Sequence, residues 1–132
     1  MSHQLTIRQM KNDYRYFNRK FFSGCLPKNV GIYFVDGINP VTKYRLPQSE
    51  IKNWENGALA ETATWCGGET DEYEIRFSRV FRRGTGHNLF CIVLLHEMIH
   101  LKLRGKRKHH GPEFFKEVRR LMRIGAFDKL IG

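Results

Sequence analysis

Residues 89–104 are the most apolar stretch of the chain, and two histidines stand in it four positions apart: His96-Glu97-Met98-Ile99-His100. In a strand those two side chains would lie about 13 Å apart, whereas on a helix they sit one turn above each other. The pattern therefore demands a helix, opened by Asn88 as an N-cap and closed by Gly105. With six histidines in 132 residues, a histidine pair enclosing a glutamate at this spacing arises by accident about 0.02 times per chain. Two imidazoles converging on one point are a donor set for a metal ion, and Glu97 beside them is placed to act as a base.

The rest of the chain must bury the other faces of this helix. At 132 residues with 41% apolar side chains, including ten Phe, one folded domain spanning residues 1–132 is expected. Cys25, Cys66 and Cys91 are odd in number and far apart, without C-x-x-C spacing. They read as small buried hydrophobes of a reduced compartment, with no paired thiols pointing to a second metal. No apolar run approaches the roughly 20 residues of a membrane span, and residues 1–9 lack the pattern of a secretion signal. A cytoplasmic, nuclear or nucleoid-associated protein that is not secreted is the expectation.

Apolar spacing predicts a first helix over residues 5–22, with Ile7, Met10, Tyr14, Phe17 and Phe21 as its inner stripe and Ser23-Gly24 as its stop. Residues 30–35 read as a strand. Residues 36–57 turn polar and read as an irregular insertion loop. Residues 58–65 and 72–78 form a hairpin across the Gly67-Gly68 turn, the second strand alternating with Tyr73, Ile75 and Phe77 on its one buried face. Pro112 opens a last helix whose apolar face is Phe114, Phe115, Val118, Leu121 and Met122. The fold class is α+β.

A catalytic zinc takes three protein ligands and leaves one position open, so the two histidines need a third partner. His109, His110, Glu113 and Glu117 are the neighbours in sequence; the two glutamates read better as charges favoured near a helix start. At this point the residues carry a resemblance. His96-Glu97-Met98-Ile99-His100, a basic loop, then His110-Gly111-Pro112-Glu113-Phe114 resembles the SprT-like, or Spartan, metalloprotease domain. Tyr16-Phe17-Asn18, Phe21-Phe22, Gly24-Cys25-Leu26-Pro27 and Glu74-Ile75-Arg76-Phe77-Ser78 extend the likeness to about three quarters of the chain, in the same order. It implies a small zincin-like domain in a minimal form without a C-terminal zinc ribbon. The implied architecture is an N-terminal helix, a short antiparallel sheet of about three strands, the H-E-x-x-H helix and a following helix carrying the third ligand. It also implies Zn2+ held by His96, His100 and His110, with Glu97 as the catalytic base.

The net charge of +10 is not spread evenly. Residues 76–123 hold 13 Lys or Arg against Glu97, Glu113 and Glu117, so this segment carries the whole excess. A polyanion is the natural partner, bound through phosphates with little sequence preference. Arg82, Arg83, Lys106, Arg107, Lys108, Lys116, Arg120 and Arg123 are the residues expected to make those contacts, the last three of them on one stripe of the final helix. Trp54 and Trp65 read as packing residues rather than platforms for bases. The resemblance implies the same partner, since Spartan proteases bind DNA and degrade proteins crosslinked to it. The leading expectation is a zinc endopeptidase acting on DNA-bound or crosslinked protein. Alternatives are a nucleic-acid-binding module with a structural or silent zinc, and a general peptidase indifferent to DNA. The strand at residues 72–78 would offer a docking edge for an extended substrate unless both its sides are paired.

Overall fold

A computed structural model of the chain describes residues 4–54, 59–65, 72–83, 86–104 and 111–131. Its first element, α1 (Ile7–Phe21), starts where the Thr6 hydroxyl accepts from the Gln9 amide at 3.1 Å, satisfying one of the orphan donors of the first turn. It stops where Ser23 and Gly24 take positive φ. The turn beyond is clamped by Asn18, whose buried side chain accepts from the Leu26 amide at 3.1 Å and donates to the Leu26 carbonyl at 3.2 Å. Met10, Tyr14 and Phe17 of the expected stripe are buried.

Three strands follow: β1 (Val30–Phe34), β2 (Ala60–Trp65) and β3 (Glu72–Phe77), in the order β1-β3-β2. β2 and β3 pair antiparallel as the predicted hairpin, but β1 runs parallel to β3, so the sheet is mixed rather than antiparallel. The end of β1 and the start of β2 both lie beside Phe77, so the chain between them stays at one end of the sheet and leaves a strand's width that β3 later fills, parallel to β1. The expected irregular excursion is also partly structured. Within residues 36–57 lies the helix α2 (Gln48–Trp54), and Ile38 bridges to Arg45. Leu46, Ile51 and Trp54 pack on Tyr33 and Val35 as a second small core, so Trp54 is a packing residue, as expected. The side chain of Trp65 lies outside the described residues.

That second core changes the reading of β3. Both of its faces are covered, and its second face buries charge: Glu74 is fully buried and Arg76 is 6% exposed. Tyr33 and Arg76 both bond the Glu74 carboxylate, and Asn39 donates to it at 3.2 Å. Arg76 also reaches Glu61 at 2.7 Å. A buried carboxylate is tolerable because each oxygen has donors. Asn39 comes close only because residue 31 is glycine; a Cβ there would lie 2.1 Å from the Asn39 Oδ1. With β1 paired on one side and β2 on the other, β3 is internal, and residues 72–77 offer no free edge for docking.

The other face of the sheet meets α1 and α3 (His87–Lys102) over the main core, where Phe81 packs edge to face on both Phe77 and Phe90, themselves in a tilted pair. Helix α3 begins at His87 rather than after Asn88, because Gly86 at φ 104° turns the chain into the helix two residues early. After it come α4 (Pro112–Arg123), opened by Pro112 in its first turn, and a short α5 (Asp128–Ile131) packed against α3. The domain is α+β, with five helices and a three-stranded sheet among the described residues.

Candidate metal centre

Helix α3 turns Leu94, Leu95, Met98 and Leu101 fully into the core, and this fixes where its remaining positions face. His96 and His100 come out half-buried on the same side, one turn apart as the spacing requires. Their Nε2 atoms lie 3.1 Å from each other. Two ligands at zinc–nitrogen distances of about 2.0–2.1 Å and a tetrahedral angle sit about 3.3 Å apart, so the pair is set close to coordinating separation. The donor chemistry fits a divalent cation, since two imidazoles can each direct an Nε2 lone pair at one metal ion.

Glu97 belongs to the same cluster: one ligand atom from each of His96, Glu97 and His100 falls within 4.8 Å of the others. Its carboxyl is 6% exposed. The Thr62 hydroxyl on β2 donates to Oε1 at 2.9 Å, leaving Oε2, 3.9 Å from the His96 Nε2, turned to the site. Burial pushes the carboxyl up to about 7, reinforced by the nearby Glu61 charge and opposed by the Thr62 bond. A carboxyl poised there can take and return a proton near neutral pH.

Phe114, in the first turn of α4, is buried against both rings, its centroid 5.0 Å from His96 and 4.9 Å from His100. The start of α4 is thus held at the histidines. His109 and His110, the expected third-ligand positions, lie outside the described residues, as do Lys106, Arg107 and Lys108.

Of the expected phosphate contacts, Lys116 and Arg123 are exposed on α4, with Arg119 beside them. Arg82 and Arg120 are instead engaged within the chain. Arg82 makes a two-pronged bond to Asp36 at 2.7 and 2.8 Å and lies over the Phe34 ring. Arg120 reaches Glu117 at 2.6 Å and the Phe21 carbonyl at 2.8 Å, tying α4 to the end of α1. On the expected stripe Arg120 thus differs from Lys116 and Arg123 in being partly engaged within the chain, where its guanidinium satisfies a carbonyl at the end of α1. The side chain of Arg83 lies outside the described residues.

Sequence reasoning missed two polar contacts around this centre. Thr62 gave a faint signal, since alternation along β2 fixes its face but not its register against Glu97. Glu117, expected as a helix-start charge, is buried and paired with both Lys102 and Arg120, joining α3 to α4. Cys91 is buried as expected, Cys25 is exposed, and Cys66 is outside the described residues. Among the described residues no helix is long and apolar enough to cross a membrane.

The model of the SprT-like family matches residues 10–128, nearly the whole chain. No curated protein matches it. Domains of this family are of the zinc-metallopeptidase type and usually depend on a metal, in keeping with the His96, Glu97 and His100 group.

Proposed function

The chain belongs to the SprT-like family, and on that premise we propose that it is a zinc-dependent endopeptidase that binds DNA and cleaves proteins bound or crosslinked to it. The observation that carries the reading is the facing nitrogen pair of His96 and His100 beside a buried carboxyl held by Thr62. His96 and His100 are the residues that would hold zinc, with His110 assigned as third ligand from the family motif. Bound there, zinc supplies Lewis acidity for a water and for a peptide carbonyl.

The chain's own residues do the rest. Glu97 accepts the proton of the attacking water on Oε2 and later delivers it to the leaving amide nitrogen. Thr62 fixes Oε1, so the carboxyl cannot rotate away, and the burial that lifts its proton affinity makes it an effective acceptor at neutral pH. Phe114 holds the two rings at their mutual angle of 71° and shields one side from water. A purely structural metal would have no use for a buried base at its side, which favours a hydrolytic site over a binding module.

DNA enters the proposal through charge. Lys116 and Arg123 lie seven residues apart on the exposed side of α4, the helix whose first turn touches the histidines. Backbone phosphates held there would present DNA-bound protein to the centre. The test is proteolysis of a basic DNA-binding protein by zinc-loaded enzyme, with and without DNA, beside Glu97→Gln. Cleavage that needs both DNA and Glu97 is expected. Equal cleavage without DNA would point to a general peptidase, and no cleavage in any condition would overturn the enzymatic reading.

A further inference from the structure

A second cluster lies at the other end of α3. His87 and Cys91 are one helical turn apart there, repeating the spacing of His96 and His100, and Asp13 of α1 faces them. Nine residues, about 13 Å of helix rise, separate His87 from His96, so the two groups do not share a centre. The His87 Nε2 lies 2.6 Å from the Asp13 Oδ2 and 3.5 Å from the Cys91 Sγ. Both neighbours therefore meet the same ring nitrogen.

This convergence decides between two kinds of chemistry. In a nucleophilic cysteine site the thiol and the carboxylate address opposite nitrogens of the imidazole, so that one accepts a proton while the other is held. Here they crowd one nitrogen, and the thiol is buried, which makes it inert as a nucleophile. Convergence of a carboxylate oxygen, an imidazole nitrogen and a sulfur on one point is what a cation requires. Zinc bonds of about 2.3 Å to sulfur and 2.0–2.1 Å to nitrogen at a tetrahedral angle place those two atoms about 3.5–3.6 Å apart. That is the separation of Cys91 and His87, and the oxygen needs to recede by less than an ångström. Phe90 lies nearly parallel to the His87 ring and backs it.

We propose that Asp13, His87 and Cys91 form a second metal site for a thiophilic divalent ion of the zinc type, with its fourth position open to solvent on the exposed His87 side. The ion clamps α1 to the first turn of α3, the helix that also carries His96 and His100. One carboxylate and one thiolate neutralise its two charges. Binding breaks the Cys91 S–H bond and forms the sulfur–metal bond, with the proton leaving to buffer. Burial and the Asp13 carboxylate push that thiol up to about 12, so the proton is present to be released. His87 binds with its own proton on Nδ1.

Cobalt(II) is the probe, because only a thiolate gives an intense near-ultraviolet charge-transfer band and the histidine centre has none. Reduced, metal-free protein is titrated with Co2+ as wild type, Cys91→Ser, Asp13→Asn and His96→Ala/His100→Ala, with circular dichroism to check folding. The expected result is a band in the wild type that survives the His96→Ala/His100→Ala change, disappears in Cys91→Ser and weakens at least tenfold in affinity in Asp13→Asn. Should Cys91→Ser fail to fold, His87→Ala is to remove the band in its place. Absence of the band in folded wild type, or its persistence in Cys91→Ser through another thiol, overturns the proposal. In the first case Asp13 and His87 are only an ion pair between helices, and Asp13→Asn then lowers stability equally with and without metal. Because the readout is spectroscopic, it stands or falls separately from any peptidase activity.

Discussion

Glu97→Gln is expected to make the metal-free protein more stable, not less, and only above a definite pH. The carboxyl is 6% exposed, and its pKa is raised from an ordinary 4.5 to about 7, first by burial. Between those two values the folded chain holds a proton that the unfolded chain has released, so stability falls as pH rises through the window. At 1.36 kcal/mol per pH unit this window amounts to about 3 kcal/mol, fully lost once the pH exceeds the folded value. Glutamine has the same shape, keeps an oxygen for the Thr62 hydroxyl and never ionises. Chemical denaturation in the presence of a chelator, from pH 4 to pH 8, should therefore show wild type and variant equal at the acid end. By pH 8 Glu97→Gln should lead by about 3 kcal/mol. A metal held by the two histidines gives the carboxylate a counter-charge, and the gap should then narrow. Identical stabilities across the whole range in chelator would refute the idea that the base is kept buried at a cost to folding.

Removing the hydroxyl in Thr62→Val deletes a hydrogen bond to a buried carboxylate worth roughly 1.5–3 kcal/mol. The Glu97 pKa should rise by at least about one further unit, read by carboxyl-carbon NMR titration of metal-free protein, and an unchanged titration would show that Thr62 does not hold the base. Phe114→Ala should cost about 3–5 kcal/mol of stability and loosen both imidazoles, so zinc competition should report weaker binding; unaltered zinc affinity would mean the ring does not orient them. Burial acts to raise the Glu117 carboxyl, but bonds from Lys102 and Arg120 outweigh it and hold the group below the ordinary range. Its contribution is thus present above the unfolded carboxylate pKa and lost as pH falls through the folded one. With Lys102 and Arg120 both partly exposed, Glu117→Gln should cost about 1–2 kcal/mol at pH 7 and progressively less towards pH 3; a cost that does not change with pH would contradict the ion-pair account.

The periodic elements were legible because burial acts on each of them locally. Helical spacing of Met10, Tyr14 and Phe17, and of His96 with His100, has only one physical solution over those lengths, and the structure adopts it. The same rule applied to His87 and Cys91 was available in the sequence, but Asp13, the residue that gives that pair a meaning, lies on another helix. Direction and register were not legible. Whether β1 runs parallel or antiparallel to β3 depends on the path of the chain between them, and local alternation carries no information about that path. Residues 36–57 look polar because, among the described residues, only Leu46, Ile51 and Trp54 of this segment join the second core, too few to show a period. Charge pairing was not legible for a related reason: Arg82 and Arg120 look like free cations in sequence, and only tertiary approach of Asp36, Glu117 and the Phe21 carbonyl engages them within the chain. What the sequence alone determined was the pair of imidazoles and the carboxyl beside them, since one helical turn is a local distance. What the tertiary structure decided was the state of that carboxyl, because burial beneath β2 and the Thr62 hydroxyl arise only when strand and helix pack.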